Sequence, residues 1–299
     1  MSRIAVGVDA GGSKTAVTYS IDGHCKGVWY GGSANPTVHG AERAGDSIAK
    51  TIELALDGAL PGAIFVGAAG AGRETVADEL KNALESRFAG ANVEVRDDAY
   101  IALRAAVPEG DGTVVIAGTG AIAYTEKNGA GFRSGGYGYL FGDAGSGFGI
   151  GAAAVDRLLR AYDGRAPRDA FVDEIEAALE VGSLNETLQK IYVAESPARA
   201  LAALAPIAIE SAGRGDRTAS RIVQQAALEL SGLVKAAIAS AGLAGSGAPI
   251  AFSGGLLSAS SVLTYLLETR LLNDFPDMPI LKDNPAPSAG ALCAAERLL

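Results

Sequence analysis

A glycine-rich strand–turn–strand pattern occurs twice in this chain and most restricts how it can fold. The first copy reads IAVGVDAGGSKTAVTYSIDG from Ile4, and the second reads TVVIAGTGAIAYTEKNG from Thr113. In each copy an apolar run ends at a glycine turn, a second run with strand character follows, and an Asp-Gly or Asn-Gly pair closes a hairpin. The pattern therefore predicts two halves that each open on the same hairpin unit.

Helices and strands are predicted to alternate after the first copy. A third strand is expected near CKGVWY, and further strands at AIFVGAAG and NVEV. The hydrophobic spacing predicts helices over Ala41–Leu60, Thr75–Phe88 and from Asp98 to about Val107. These elements indicate an α/β protein.

The second half is predicted to be mainly helical between Ile150 and Ala241, and it returns to a strand at PIAFSGG. Pro108–Gly112 has the composition of a linker, and Ser288 is expected to be the N-cap of the last helix. We therefore expect an N-terminal lobe over residues 1–109, a C-terminal lobe over 110–286, and a final helix over 287–299 that packs back on the first lobe.

Composition excludes several classes of protein. With 48% hydrophobic and 20% charged residues, the chain is expected to be globular and soluble rather than disordered. The net charge of −9 argues against nucleic-acid and anionic-membrane partners, which require basic patches. Neither a targeting segment nor an apolar run of about 18 residues is apparent, which favours the cytoplasm. With only two histidines and with Cys25 and Cys293 far apart, a zinc site or a disulfide framework is not expected.

Each glycine turn has alternative interpretations when it is taken alone. GVDAGGSKT approaches a Walker A loop, but that loop opens a helix, whereas the residues after this turn alternate like a strand. GTGAIA has the spacing of a dinucleotide-binding fingerprint, but a hairpin also follows it. A tight hairpin with glycine at positive φ is the plain structural alternative for both turns.

Taken together, the motifs are more specific. GVDAGGSKT, VRDDAYIAL, IAGTGAIAY, GGYGYLFGDAGSGFGIG and AFSGGLL occur in the order seen in the N-acetylglucosamine kinase family. That family is related to glucosamine kinases and to the ATPase activators of acyl-CoA dehydratases. The resemblance extends from Ile4 to Glu296, and it implies a two-lobed actin-like ATPase (ribonuclease H-like) fold with duplicated hairpin sheets. It places the active site in the cleft between the lobes.

The resemblance also implies which residues bind the nucleotide. The two turns would bind the phosphates of ATP, a turn after the late strand would bind adenosine, and Asp9 would hold water around Mg²⁺. The residues expected to bind ATP are Gly11, Gly12, Ser13, Lys14, Thr15, Gly118, Thr119, Gly120, Ser253, Gly254 and Gly255.

A second set of residues is implied for the sugar. Asp98 matches the family's general base, whereas Asp97 has no counterpart, and an aspartate before a helix is otherwise an ordinary N-cap. The other residues expected to bind the substrate are Asn35, Gly70, Tyr137 and Asp143.

Two features of these sugar-binding segments leave alternatives open. Asn35 could belong to a simple Asn-Pro turn, and the loop with Tyr137 and Phe141 could instead pack into the core. Ala144 stands where similar kinases have a glutamate, which affects how one side of the sugar is held.

The resemblance predicts an enzyme that phosphorylates an amino sugar with ATP, converting N-acetylglucosamine to its 6-phosphate. Glucosamine is the alternative substrate. From a different class, an ATPase activator of a dehydratase or reductase would need two cysteines in mid-sequence for a cluster, and Cys25 and Cys293 do not fit. A catalytically inactive sugar sensor is a third option, against which Asp9 and Asp98 argue. The sequence leaves the oligomeric state open, a homodimer included.

Overall fold

Two five-stranded sheets, each with its own helices, make up the protein, which we describe from a computed structural model. The structure describes residues 3–12, 14–258, 260–283 and 285–299. The chain divides into two compact units: unit 1 comprises Met1–Gly110 with Asn284–Leu299, and unit 2 comprises Asp111–Asp283. Because unit 1 contains both ends of the sequence, its last helix returns to the strands with which the chain begins.

Unit 1 alternates strands and helices much as the sequence pattern predicts. Its sheet has the order β3-β2-β1-β4-β5, with β2 antiparallel to β1 and β3, and with β4 parallel to β1 and β5. The elements of unit 1 within residues 1–110 are β1 (Ile4–Ala10), β2 (Thr15–Ile21), β3 (His24–Gly31), α1 (Pro36–His39), α2 (Ala41–Leu56), β4 (Ala63–Ala68), α3 (Glu74–Arg87), β5 (Asn92–Asp97) and α4 (Asp98–Ala106).

Local turn chemistry explains the boundaries of several of these elements. Asp22 and Gly23 both have positive φ (50° and 77°), as the turn between β2 and β3 requires. Helix α2 ends at Leu56 rather than at Leu60, because Asp57 adopts the left-handed conformation and its N–H bonds back to the Glu53 carbonyl. The predicted hairpin is confirmed, and the predicted helix is four residues too long.

Unit 2 repeats the sheet of unit 1. Its strand order is β10-β9-β6-β7-β8, again with two antiparallel pairs on one side of the central strand and two parallel pairs on the other. Its elements are β6 (Gly112–Ala117), β7 (Ala121–Lys127), β8 (Ala130–Gly135), α5 (Gly147–Tyr162), α6 (Ala170–Leu179), α7 (Leu184–Tyr192), α8 (Pro197–Ala202), α9 (Ala205–Gly213), α10 (Arg217–Ala241), β9 (Ile250–Ser253), α11 (Val262–Asp274) and β10 (Ile280–Leu281).

The shared connectivity confirms the predicted duplication. In both units a strand, a glycine turn and a second strand are followed by an Asp-Gly or Asn-Gly turn, and Asn128 and Gly129 take positive φ like their counterparts. Two such sheets, each with helices, form the α/β arrangement of the actin-like ATPase fold.

Helix α10 is the one element that departs from the expectation about membrane segments. Within the described residues it alone is long and apolar enough to cross a membrane by length and composition, with a mean hydropathy of 1.2 over 18 residues. Its apolar side, including Val223, Leu230 and Ile238, is buried in the core of unit 2, where it packs on α9, α11 and β7. The packing is that of a core helix.

The last helix, α12 (Pro287–Glu296), lies against β1 and α4 in unit 1. Its N-cap position is Ala286, so the prediction of Ser288 as N-cap is wrong. Ser288 is buried, and its hydroxyl accepts a hydrogen bond from Thr18 (3.0 Å). The approach is close: a Cβ placed on Gly290 would lie 2.1 Å from the Ile101 carbonyl oxygen. Glycine is therefore what allows α12 to pack here.

Candidate active site

The carboxyl ends of three parallel strands bring the acidic candidates of unit 1 to one edge of its sheet. Asp9 on β1 pairs with Gly67 on β4, and Ala68 pairs with Asp97 at the end of β5. In α/β sheets ligands bind at this edge, because the strand ends and the loops that follow them meet there. The predicted metal residue on β1 and the predicted base, which directly follows β5, therefore lie at the same edge of the sheet, with β4 between their two strands.

The two adjacent aspartates have separate environments. Asp97 is the N-cap of α4, and its Oδ1 accepts a hydrogen bond from the Ala99 N–H (3.0 Å). Asp98 is the first residue of the helix, where burial raises its pKa to about 8, assisted by the charge and hydrogen bond of Asp97 and by the charge of Asp9. The N-cap interpretation thus applies to Asp97, which leaves the carboxyl group of Asp98 for chemistry.

Asp9 carries a second perturbed carboxyl group. Burial raises the pKa of Asp9 to about 6, and the positive charge of Lys14 opposes this shift. Carboxylate oxygens suit Mg²⁺, which usually binds through one or two carboxylates together with water and substrate phosphates. Within the described part of the chain, no group of three or more His, Cys, Asp or Glu side chains could hold a metal by itself. Asp9 therefore fits a Mg²⁺ ion that arrives with a nucleotide.

The turn between β1 and β2 differs from the expectation at two positions. The Gly11 N–H donates to the Lys14 carbonyl (3.0 Å), and neither Gly11 nor Gly12 has positive φ, so the plain positive-φ hairpin does not apply. Thr15 is fully buried, and its hydroxyl donates to the Gly32 carbonyl (2.7 Å). Because a hydroxyl has one hydrogen, Thr15 cannot donate to Gly32 and to a phosphate at the same time.

The remaining residues of this turn are consistent with a phosphate site. Lys14 is exposed, and its Nζ lies 4.9 Å from the centroid of the Tyr30 ring, a cation–π contact that holds the ammonium group beside the turn. Ser13, also predicted to bind ATP, lies outside the described residues.

The structure brings together two residues predicted to bind the sugar. Asn35 is the N-cap of α1, and its Oδ1 accepts from the Thr37 N–H (2.8 Å). Gly70 has φ +87°, and a Cβ there would lie 2.1 Å from Thr37 Oγ1 and 3.5 Å from Asn35 Oδ1. Only glycine fits at position 70, so its backbone approaches the Asn35 loop closely.

Four residues near this pair are not among the predicted site residues: Ser33, Thr37, His39 and Arg73. Arg73 Nη2 donates to Thr37 Oγ1 (3.5 Å), and Ser33 contacts both His39 and the carbonyl of Gly12. The sequence signal for part of this group was the run SANPTVH, because Pro at the first helical position favours a helix start after Asn35. Arg73 has no such local signal.

In unit 2 the side chain of Asp143 lies against the second glycine turn. The Gly118 N–H donates to the Gly120 carbonyl (3.0 Å), and the Gly118 and Thr119 carbonyls accept from Gly147 and Phe148 at the start of α5. Asp143 Oδ1 accepts from the Ala121 N–H (2.9 Å), and a Cβ on Gly120 would lie 3.0 Å from Asp143 Oδ2.

Asp143 is thereby fixed against the turn. Its φ is 66°, and burial raises its pKa, an effect that the hydrogen bond from Ala121 opposes. Neither Gly118 nor Gly120 has positive φ, so the plain positive-φ alternative fails at this turn as well. The exposed hydroxyl of Thr119 is consistent with ligand binding.

The predicted adenosine turn lies beside this one. Ser253 ends β9, which pairs with β6, and a Cβ on Gly254 (φ +87°) would lie 2.4 Å from the Ala117 carbonyl oxygen. Gly255 has open space around its Cα. The two turns of unit 2 are therefore adjacent at the carboxyl ends of β6 and β9.

The aromatic loop before Asp143 does not pack into the core. Tyr137 is 66% exposed and Phe141 is 85% exposed, so the structural interpretation that buries them is wrong. Gly136 and Gly138 take positive φ, which holds the loop in a tight conformation with its aromatic side chains outward. The exposure of Tyr137 is consistent with a role in binding a ligand.

Comparison with known proteins finds kinases of amino sugars that are similar to this chain. An N-acetylmuramic acid/N-acetylglucosamine kinase from Clostridium acetobutylicum is 29% identical over 234 residues, which is 78% of this chain and 76% of that protein. An N-acetyl-D-glucosamine kinase from Dictyostelium discoideum is 28% identical and covers 98% of both chains. A crystal structure from Chromobacterium violaceum, attributed to an N-acetylglucosamine kinase, has a TM-score of 0.77 and 26% identity, covering 97% of this chain and 98% of its own.

The predicted family relationship also has direct support from a family model that matches residues 6–296, nearly the whole chain. With the duplicated sheets and the acidic edge of unit 1, this match leads to one conclusion: the chain belongs to the BadF/BadG/BcrA/BcrD ATPase family.

Proposed function

We propose that this protein is an ATP-dependent kinase of an amino sugar, and that N-acetylglucosamine is its main substrate, phosphorylated on the primary 6-hydroxyl group. The observation that carries the proposal is the placement of Asp98, whose partly buried carboxyl group lies near Asp9 and has a raised pKa. The ATPase family supports the use of ATP. The curated relatives, both kinases of N-acetylated amino sugars, support the choice of substrate.

Asp98 is the proposed general base. As the 6-hydroxyl oxygen attacks the γ-phosphorus of ATP, its proton passes to the Asp98 carboxylate, the bond to the bridging oxygen breaks, and ADP leaves. A base with a pKa near 8 accepts a hydroxyl proton more readily than an ordinary aspartate does, although less of it is ionised at neutral pH. The hydrogen bond between Asp97 and the start of α4 keeps this part of the backbone in place.

The nucleotide residues are proposed in both units. In unit 1, the Gly11–Lys14 turn binds phosphate through backbone N–H groups and the Lys14 ammonium, and Asp9 holds water on Mg²⁺. The metal ion neutralises phosphate charge when it is bound. In unit 2, the Gly118–Gly120 turn binds phosphate, and the Ser253–Gly255 turn binds the adenosine.

In unit 1, the residues proposed to bind the sugar are Asn35, Gly70 and Asp98. In unit 2, Tyr137 and Asp143 are the proposed sugar-binding residues. Asn35 Oδ1 is held by the Thr37 N–H, so the orientation of its amide is fixed before a sugar arrives. The Ala121 N–H fixes Asp143 in the same way. A site that hydrogen-bonds the C2 nitrogen would reject plain glucose, the analogue that lacks it.

The experiment is a coupled ADP-release assay with N-acetylglucosamine, glucosamine, N-acetylmuramic acid and glucose, and the phosphate position is assigned by NMR. We expect the highest kcat/KM with N-acetylglucosamine, a product carrying phosphate on O6, and a poor rate with glucose. A higher kcat/KM for glucose than for both N-acetylglucosamine and glucosamine would refute the proposed substrate, as would a product with phosphate on the anomeric oxygen. A brown cluster in anaerobically purified protein, without sugar-dependent ADP release, would favour the dehydratase-activator alternative. We also propose that the kinase acts in the cytoplasm, where ATP is available.

A further inference from the structure

A short hydrogen-bonded chain in unit 1 joins the Asn35 loop to the turn between β1 and β2. Ser33 Oγ donates to the Gly12 carbonyl (3.1 Å) and lies 2.9 Å from His39 Nε2, and the Ala34 N–H donates to the Gly11 carbonyl (3.3 Å). Because Ser33 gives its single hydrogen to Gly12, the hydrogen between Ser33 and His39 must come from His39 Nε2. His39 thus holds Ser33 in the orientation that reaches the turn.

His39 is itself fixed by the residue proposed to bind the sugar. It is the last residue of α1, a single turn of helix that begins after Asn35 and has Pro36 as its first residue. The Asn35 side chain accepts the Thr37 N–H at the start of this turn, and the His39 N–H donates to the Asn35 carbonyl (3.0 Å). Residues 33–39 therefore form a closed loop that returns to Ser33.

The Asn35 side chain, in the same loop, also lies close to Gly12. A Cβ placed on Gly12 would lie 3.9 Å from Asn35 Nδ2. A displacement of the turn would thus reach Asn35 by two routes, through the Ser33 hydroxyl and through direct proximity. Where two ligand sites are coupled, packed and hydrogen-bonded segments of this kind carry the coupling.

We propose that Ser33 and His39 are positioning residues that couple nucleotide binding at the β1–β2 turn to sugar binding at Asn35. This inference rests on the proposed function. A nucleotide that holds Gly12 in place favours the tethered form of the Asn35 loop, so the sugar binds more tightly to the nucleotide-bound protein. By thermodynamic linkage, the sugar must strengthen nucleotide binding by the same factor.

The test measures the Kd of N-acetylglucosamine by calorimetry, with and without a saturating non-hydrolysable ATP analogue and Mg²⁺. For the wild-type protein we expect the analogue to lower the sugar Kd by about 5-fold or more, within the usual range of coupling between sites. In Ser33→Ala and in His39→Phe the ratio should fall towards 1. Ser33→Thr keeps a hydroxyl group and should retain most of the ratio. That result would show that the loss in Ser33→Ala is caused by the missing hydroxyl group and not by unfolding.

Two exposed residues of unit 1 provide matched controls. Ser86→Ala removes a hydroxyl that bonds only within α3, and His24→Phe removes an imidazole on the edge strand β3. Both variants should keep the wild-type ratio. A ratio of 1 in the wild-type protein, or an unchanged ratio in both Ser33→Ala and His39→Phe, would overturn the inference. Absence of sugar-dependent ADP release by the wild-type protein would refute the proposed function, and this inference with it.

Discussion

At the scale of single residues, the contrast between Asp97 and Asp98 allows the proposed base to be tested. Asp98→Asn should lower kcat by roughly 10²–10⁴-fold, because the amide cannot accept the proton of the sugar hydroxyl. Asp97→Asn should have a much smaller effect, since asparagine can still accept the Ala99 N–H as an N-cap. Steady-state kinetics with N-acetylglucosamine measure both variants. Reversed severity would show that the base is Asp97.

The raised pKa of Asp98 also predicts how stability depends on pH. The folded state keeps this proton up to about pH 8, whereas the unfolded chain releases it near the ordinary value of 3.8. Between these values the folded state binds more protons, so the free energy of unfolding falls as pH rises. Asp98→Asn removes this effect, and it should stabilise the ligand-free protein above pH 8 by about 1 kcal/mol or more, which is a few degrees in Tm.

This gain should shrink as the pH falls towards 3.8, because below that value wild-type Asp98 is protonated in both the folded and the unfolded state. Thermal unfolding at pH 5 and pH 8.5, in EDTA and without nucleotide, measures it. Asp277→Asn, at an exposed position, serves as the control. A stability difference that does not vary with pH would contradict the burial of a protonated Asp98.

Asp9 should affect the metal-bound nucleotide rather than the sugar. Asp9→Ala is expected to raise the KM for Mg-ATP, because water on the metal ion loses its carboxylate acceptor. Calorimetric affinity for the sugar alone should remain near that of the wild-type protein. Loss of sugar binding together with normal nucleotide binding would reverse this assignment.

At the scale of secondary-structure elements, two glycines in helices have opposite environments. A Cβ on Gly290 of α12 would lie 2.1 Å from the Ile101 carbonyl oxygen and 2.4 Å from the Ala105 nitrogen, both on α4. Gly290→Ala should therefore destabilise the protein by about 1–3 kcal/mol or more, since backbone atoms must move. Gly232, within α10, is exposed and has open space, so Gly232→Ala should stabilise by up to about 1 kcal/mol. Urea unfolding measures the free energy of unfolding of both variants. Equal changes in the two would contradict the difference in their environments.

The same elements show which features of the fold are visible in the sequence. The Asp22-Gly23 and Asn128-Gly129 hairpins were predictable, because positive φ at adjacent positions has a local residue signature. The role of Ser288 was not, because its partner, Thr18, lies at the other end of the chain. A serine near a helix start has the same local pattern whether it caps the helix or bonds a distant strand.

In the candidate site, too, residues with a local sequence pattern were predictable, and contacts between distant parts of the chain were not. Asp9, Asn35 and Asp98 could be selected from motifs, because each lies at a strand end or beside a proline or a helix start. That Thr15 already donates to Gly32 depends on the pairing of β2 with β3. The contact between Asp143 and Ala121 depends on how the loop after β8 returns to the start of β7, 22 residues earlier in the sequence, which periodicity does not specify.

At the scale of the whole molecule, the two units differ in how the sequence is divided between them. Unit 2 is the single segment Asp111–Asp283, whereas unit 1 needs residues from both ends. Without α12, the apolar group formed by Ala5, Phe65 and Ile101 would lose the buried Ala291 and Leu292 that complete it. We therefore expect a fragment of residues 111–283 to unfold cooperatively, and a fragment of residues 1–110 not to.

Circular dichroism and hydrogen exchange of the two fragments test this prediction. Adding a peptide of residues 285–299 to fragment 1–110 should restore protection of β1 and α4, because the peptide supplies α12. Its Gly290→Val variant should not, since a side chain at that position meets the backbone of α4. Cooperative unfolding of fragment 1–110 alone would contradict the requirement for α12.

The return of α12 to unit 1 also has a consequence for synthesis on the ribosome. The strands of unit 1 leave the exit tunnel first, but the helix that covers β1 and α4 is translated only after the whole of unit 2. Domains commonly fold in the order in which they emerge, at about 5–20 residues per second. In this chain we expect the order to be reversed. Unit 1 is translated first, but its apolar face stays uncovered for roughly ten seconds or more until α12 emerges. A chaperone that binds nascent chains would protect unit 1 most during this period.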